Sequence, residues 1–75
     1  MYRWVIDILL KSGAFLTCDY DGPEKCSAEV VTKLFGRKQP NDWIPLHSHT
    51  KDHITYVVIG EIAAIDIYER NDDEQ

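Results

Sequence analysis

Little in this sequence points to chemistry. It has two cysteines, Cys18 and Cys26, too few for a disulfide framework. Asp7 falls where a signal peptide would be apolar, so no export leader is expected. The thiols are then expected to be reduced, in a cytoplasmic setting, and buried or half-buried in the fold. A bridge between them, or a metal role, is the alternative. Basic residues are scarce: eight Lys and Arg stand against thirteen Asp and Glu, for a net charge of −5 and a pI near 4.9. Asp72, Asp73 and Glu74 sit at the end of the chain, and removing their charges from −5 leaves −2. Arg37-Lys38 is the only basic cluster. Backbone-dominated nucleic-acid binding needs clustered cations to displace counterions and is not expected, so a small nucleic-acid-binding barrel stands only as an alternative function. Apolar runs such as Ile8-Leu9-Leu10 are far shorter than the ~20 residues of a membrane span. A glycine-rich phosphate loop, a nucleophile elbow and a Walker sequence are all missing.

What is present is strand pattern. The chain has 75 residues, enough for one domain. At this size folding buries only about 60% of the unfolded surface, so a single core is marginal and a partner subunit or a metal often completes it. Hydrophobic and charged fractions of 44% and 28% are those of a globular protein. From Tyr2 to Lys11 the residues alternate, with Tyr2, Trp4, Ile6, Ile8 and Leu10 on one side. Ser12-Gly13 makes a hairpin turn, and Ala14 to Asp21 resumes the alternation. Asp21-Gly22-Pro23-Glu24 ends that strand and prepares a helix that starts at Pro23 or at Ser27. Ala28, Val31, Leu34 and Phe35, with Val30, form its apolar stripe, and Gly36 suits its end. Trp43 to His47 reads as a short strand. Pro45 lacks a donor, so that strand is expected at an edge or irregular. Ile54–Tyr68 is the most β-branched and least charged stretch, interrupted at Gly60 by a bulge, bend or turn.

The order predicts a small α+β domain, β-β-α-β-β-(β), over 1–70, with one helix packed on a mainly antiparallel sheet. A β-grasp-like fold and a small Sm-like barrel are the alternatives. Residues 71–75 read as an acidic disordered tail. The face opposite the helix is expected to carry Val5, Leu9, Phe15, Val57 and Ile59. An exposed apolar patch means a partner surface, and a homo-oligomer would supply the missing cover.

Three constellations are candidates for function. His47-Ser-His49-Thr-Lys-Asp52-His53 places three imidazoles together, suited to zinc or nickel with Asp52 as a possible oxygen ligand. An ordinary solvated loop explains the same residues, because the spacing matches no strong metal pattern. Asp19 and Asp21 form a carboxylate pair on one side of a strand, able to bind a hard cation, although a strand end facing water also accounts for them. Aromatic side chains anchor interfaces. Trp43, beside Asp42 and Pro45, is the best exposed anchor, and Trp4, Tyr56, Val57 and Ile59 join it as candidate partner-binding residues. No catalytic residue is assigned.

Ile6-Asp-Ile-Leu-Leu-Lys-Ser-Gly13, Tyr20-Asp-Gly22 and Gly60-Glu-Ile-Ala-Ala-Ile-Asp-Ile67 together resemble small uncharacterised proteins of phages and prophages of Gram-positive bacteria. The resemblance covers most of the chain as a strand-turn-helix-strand outline. It implies a phage or mobile-element origin and action by binding, for instance to a host protein, and it carries over no active-site residue.

Overall fold

The computed structural model describes residues 1–49 and 52–70. It is an α+β domain: one helix and one five-stranded antiparallel sheet. In chain order the elements are β1 (Tyr2–Leu10), β2 (Phe15–Gly22), α1 (Ser27–Phe35), β3 (Trp43–Ser48), β4 (Ile54–Val58), a single 3₁₀ turn (Ile59–Glu61) and β5 (Ile62–Glu69). The strands lie in the order β4-β3-β2-β1-β5. Residues 50–51 and the expected tail 71–75 lie outside the described residues.

Alternation in β1 does what its pattern dictates. Trp4, Ile6 and Ile8 point to the helix side and join Cys18, Val30, Ile44, Leu46 and Val57 in the core. The cross-strand pairs Ile6↔Cys18 and Ile8↔Leu16 on β2, and Ile6↔Ile67 and Ile8↔Ile65 on β5, extend that apolar face both ways. Gly13 takes φ +94°, which lets the β1–β2 turn close.

The helix starts at Ser27, with Cys26 as the extended cap residue and no side-chain cap. Glu29 reaches back instead, and its carboxylate accepts the Lys25 N–H at 3.1 Å. Glu24 therefore lies outside the helix. It is buried, where it accepts the Tyr20 hydroxyl at 2.9 Å, and its carbonyl accepts the Trp4 indole N–H at 3.2 Å. The buried part of the helix is Val30 with half-buried Leu34 and Phe35, whereas Val31 and Ala28 face out. Gly36 ends the helix in the right-handed conformation, not the left-handed one expected of a glycine cap.

Two irregularities shape the sheet. Pairing of β2 with β3 covers only Cys18↔Ser48 and Asp19↔His47. Continued in step, the register would set Asp21 opposite Pro45, which has no N–H to give, so the strands part there. β3 is thus interior but irregular. The second is the link from β4 to β5, which are opposite edges. Laid flat, five strands at about 4.8 Å spacing would separate those edges by about 19 Å, and the four Cα steps from Val58 to Ile62 reach at most about 15 Å. The sheet therefore curls. The turn is held at both ends of the gap: Ile59 N–H donates to Asp42 C=O at 2.9 Å, and Lys11 N–H donates to Glu61 C=O at 2.8 Å. Gly60 passes so close to Pro40 that an added Cβ would stand 2.7 Å from its carbonyl oxygen.

Strict alternation after Gly60 would set Ala63 with Ile65 and Ile67 and put Ile62 on the other face with Ala64, Asp66 and Tyr68. Ile62 instead sits with Ile65 and Ile67 on the core side, because the register shifts between Leu9 and Leu10 and leaves Ala63 as the extra residue.

Candidate functional site

The outer face of the sheet, away from the helix, is where side chains remain available. The register places on it Val5, Asp7 and Leu9 of β1, Phe15, Thr17, Asp19 and Asp21 of β2, and Ala64, Asp66 and Tyr68 of β5. On the other side of the β2–β3 seam it places Trp43, Pro45 and His47 of β3 and Ile54, Tyr56 and Val58 of β4.

This face has a polar middle and two apolar ends. In the middle, Asp7 accepts the Thr17 hydroxyl at 3.0 Å and the Tyr68 hydroxyl at 3.2 Å, tying β2, β1 and β5 together. His49 lies 2.7 Å from Asp19 through its Nδ1, and the Arg70 guanidinium stands 3.7 Å from the same carboxylate. A carboxylate accepts only, so the His49 Nδ1 is the donor in this contact. Val5 lies buried between its neighbours Asp19 and Tyr68. Tyr68, pushed up from the ordinary tyrosine value by desolvation and by the Asp7 carboxylate, stays a neutral donor.

At one end Leu9 and Phe15 are exposed, Phe15 at 61%. At the other end Trp43 of β3 and Tyr56 of β4 lie diagonal to one another on the same face, opposite Val58 and Pro45, at 62% and 60% exposure, and exposed Ile54 lies on that face opposite His47. Apolar side chains of this size left in water on one face make it the candidate surface for a partner.

Sequence reasoning placed Trp43 and Tyr56 on this surface, and the structure brings them together. It does not bring Trp4, Val57 or Ile59. Trp4 and Val57 are core residues, and half-buried Ile59 packs against that core in the 3₁₀ turn. The reason is parity: Val57 lies opposite Ile44, a core residue, and Tyr56 opposite Pro45 on the outer face. Leu9 and Phe15 are exposed on this face as expected, and exposed Ile54 and Tyr68 complete it. Their signal was the period-two alternation read outward as well as inward.

His47 and His49 both lie beside Asp19. His47 is paired with it across the strands and His49 bonds to it, while His53 enters through its carbonyl, which accepts the Ser48 N–H at 3.1 Å. Among the described residues no group of three or more His, Cys, Asp or Glu stands where it would hold a metal ion.

A cleft of about 540 Å³ opens where β2 and β3 part, between Asp19–Asp21 on one wall and Pro45–His47 on the other, with Leu34 of the helix at its base. Both cysteines are free thiols, Cys18 buried and Cys26 exposed. Among the described residues no helix is long and apolar enough to cross a membrane. No family model, curated protein or solved structure matches this chain.

Proposed function

We propose that this chain is a non-enzymatic binding module, encoded by a phage or mobile element and working in the cytoplasm. It docks a protein partner, such as a protein of the host, on the outer face of its sheet around Trp43 and Tyr56. The observation that carries this reading is two aromatic side chains, Trp43 and Tyr56, diagonal on one face of neighbouring strands, each with about three-fifths of its surface in water. Large amphipathic rings bury much area at little entropic cost when a partner covers them. The curled sheet, in the order β4-β3-β2-β1-β5, supports the small-barrel version of the fold, with the helix closing its inner side.

The test is capture from a lysate of a Gram-positive host by the immobilised domain, beside a Trp43→Ala/Tyr56→Ala double variant. Both positions are exposed, so the variant is expected to keep its circular dichroism and melting temperature. The reading expects a discrete protein retained by the native chain and lost with the variant. The same proteins on both resins, or none on either, would sink it. Zinc or nickel at His47, His49 and His53 is a separate proposal resting on residue type alone. Titration of the chain with either ion decides it, and an absence of binding removes it.

A further inference from the structure

We propose that two copies of this chain pair edge to edge through β5, antiparallel about a two-fold axis, to make one continuous sheet. This goes beyond the partner surface above and does not rest on it, because it uses the edge of a strand and not the face of the sheet.

Arg70 N–H donates to Arg3 C=O at 2.8 Å. In an antiparallel ladder that bond fixes which groups face inward: Ala64, Asp66, Tyr68 and Arg70 turn their N–H and C=O toward β1. Those of Ile65, Ile67 and Glu69 turn outward. β5 is the last strand of the sheet, and these groups have no backbone partner among the described residues. Edge strands are ordinarily guarded by brevity, proline, charged side chains (lysine above all), a bulge, or a covering helix or loop. Ile62–Glu69 is eight residues long, contains neither proline nor lysine, and carries two charges, Asp66 and Glu69. Its irregularity lies at the far end, opposite Leu9 and Leu10. The other edge, β4, is five residues long and runs straight into the 3₁₀ turn, so it is guarded by its brevity.

The strand complements itself in one register. A two-fold axis through the sheet keeps each face on its own side, so only residues of the same face stand opposite one another. Centring on Asp66 would oppose two like charges, which is destabilising. Centring on Ile65 would run the ladder into the bulge at Ala63. Centring on Ile67 avoids both. It forms hydrogen-bonded pairs from the outward groups of Ile65, Ile67 and Glu69, and sets Asp66 opposite the partner's Tyr68. The partner's Arg70, whose guanidinium stands 3.7 Å from Asp19 of its own chain, then lies diagonal to Asp66 and of opposite sign. Ile67, half-buried in one copy, meets its own symmetry mate.

Residue-resolved amide exchange with light scattering tests this. The native chain is expected at 17.4 kDa, twice 8.7 kDa. The amides of Ile65, Ile67 and Glu69 should be protected along with those of Ala64, Asp66 and Tyr68. Glu69→Pro removes an outward N–H and leaves the β1–β5 ladder its donors. It should run at 8.7 kDa, with Ile65 and Ile67 exchanging fast and the inward amides still protected. Ile54→Pro, at the start of the other edge, should remain a dimer. A monomeric native chain overturns the proposal, and so does a dimer whose Ile65, Ile67 and Glu69 amides exchange freely. If Glu69→Pro does not fold, the exchange pattern of the native chain decides alone. Trp43→Ala/Tyr56→Ala is expected to stay dimeric, so failure of the partner surface and failure of the edge are read separately.

Discussion

Cys18 and Cys26 show how much one residue's surroundings decide. Both are free, eight positions apart in sequence. Cys18 sits in the core at 1% exposure. Desolvation pushes its thiol up, and the carboxylates of Asp19 and Asp7 push in the same direction. A thiol kept neutral and covered is inert. Cys26 caps the helix in the open. Ellman's reagent is therefore expected to titrate one thiol in the native protein and the second only in denaturant; two fast thiols in the native state would contradict the burial of Cys18. Tyr20 is raised as well, by burial first and then by its hydrogen bond to Glu24. An acid raised in the fold favours its neutral form there. Its contribution is whole below the ordinary value and disappears as pH climbs through the raised one. With ordinary values of 9.0 for Cys18 and 10.0 for Tyr20, the melting temperature should hold near neutral pH and fall above pH 9.0. Cys18→Ala should fall less steeply over that range, and an unchanged slope would remove Cys18 from the account.

At the scale of elements, β1 is the centre of the fold. It pairs along nearly its whole length with β2 and β5, and its inward residues Ile6 and Ile8 are fully buried. Ile6→Ala should cost about 2–5 kcal/mol, the lost transfer energy plus the cavity. Phe15→Ala, on an exposed side chain of the adjoining strand, should cost no more than about 0.5 kcal/mol. Chemical denaturation of the two variants distinguishes them, and equal losses would mean that the inner and outer faces have been exchanged. The 3₁₀ turn is the second sensitive element. Gly60→Ala drives a methyl toward the Pro40 carbonyl, so the link between the sheet's edges must shift. Its melting temperature should drop, whereas a substitution at exposed, neighbouring Glu61 should be mild.

At the scale of the whole molecule, the domain has one satisfied face and one left open. The helix covers the inner face. The outer face carries a bonded polar centre, Asp7 with Thr17 and Tyr68 and Asp19 with His49, flanked by apolar ends. A small chain buries a modest fraction of its surface, and an edge dimer through β5 would lengthen the sheet and set two such outer faces side by side. The partner surface would then be presented twice, and a bivalent partner would bind the dimer more tightly than the Glu69→Pro monomer. Titrating the captured protein against both forms measures that difference.

Much of the fold was legible in the residues. Alternation in Tyr2–Leu10 and Phe15–Gly22 announced a hairpin and its inner face, because side chains on a strand alternate whatever surrounds them. Pro45 announced an irregular strand, because a missing N–H is a local fact. Gly60 announced the break between the last two strands. The open face was also legible, but not its membership. Val57 and Tyr56 are equally fit for a strand, and only the pairing of β4 on β3 decides which of them turns inward. The same holds for Trp4, where aromaticity suggested an anchor and position made it core. Ile62 changed sides through one extra residue opposite Leu9 and Leu10. By itself, then, the sequence determined the elements, their turns and the class of the fold, since those rest on local sterics and periodicity. The tertiary structure alone decided which strands became edges, where the sheet parts, and which aromatic groups stayed in water, since those depend on contacts between residues far apart in the chain.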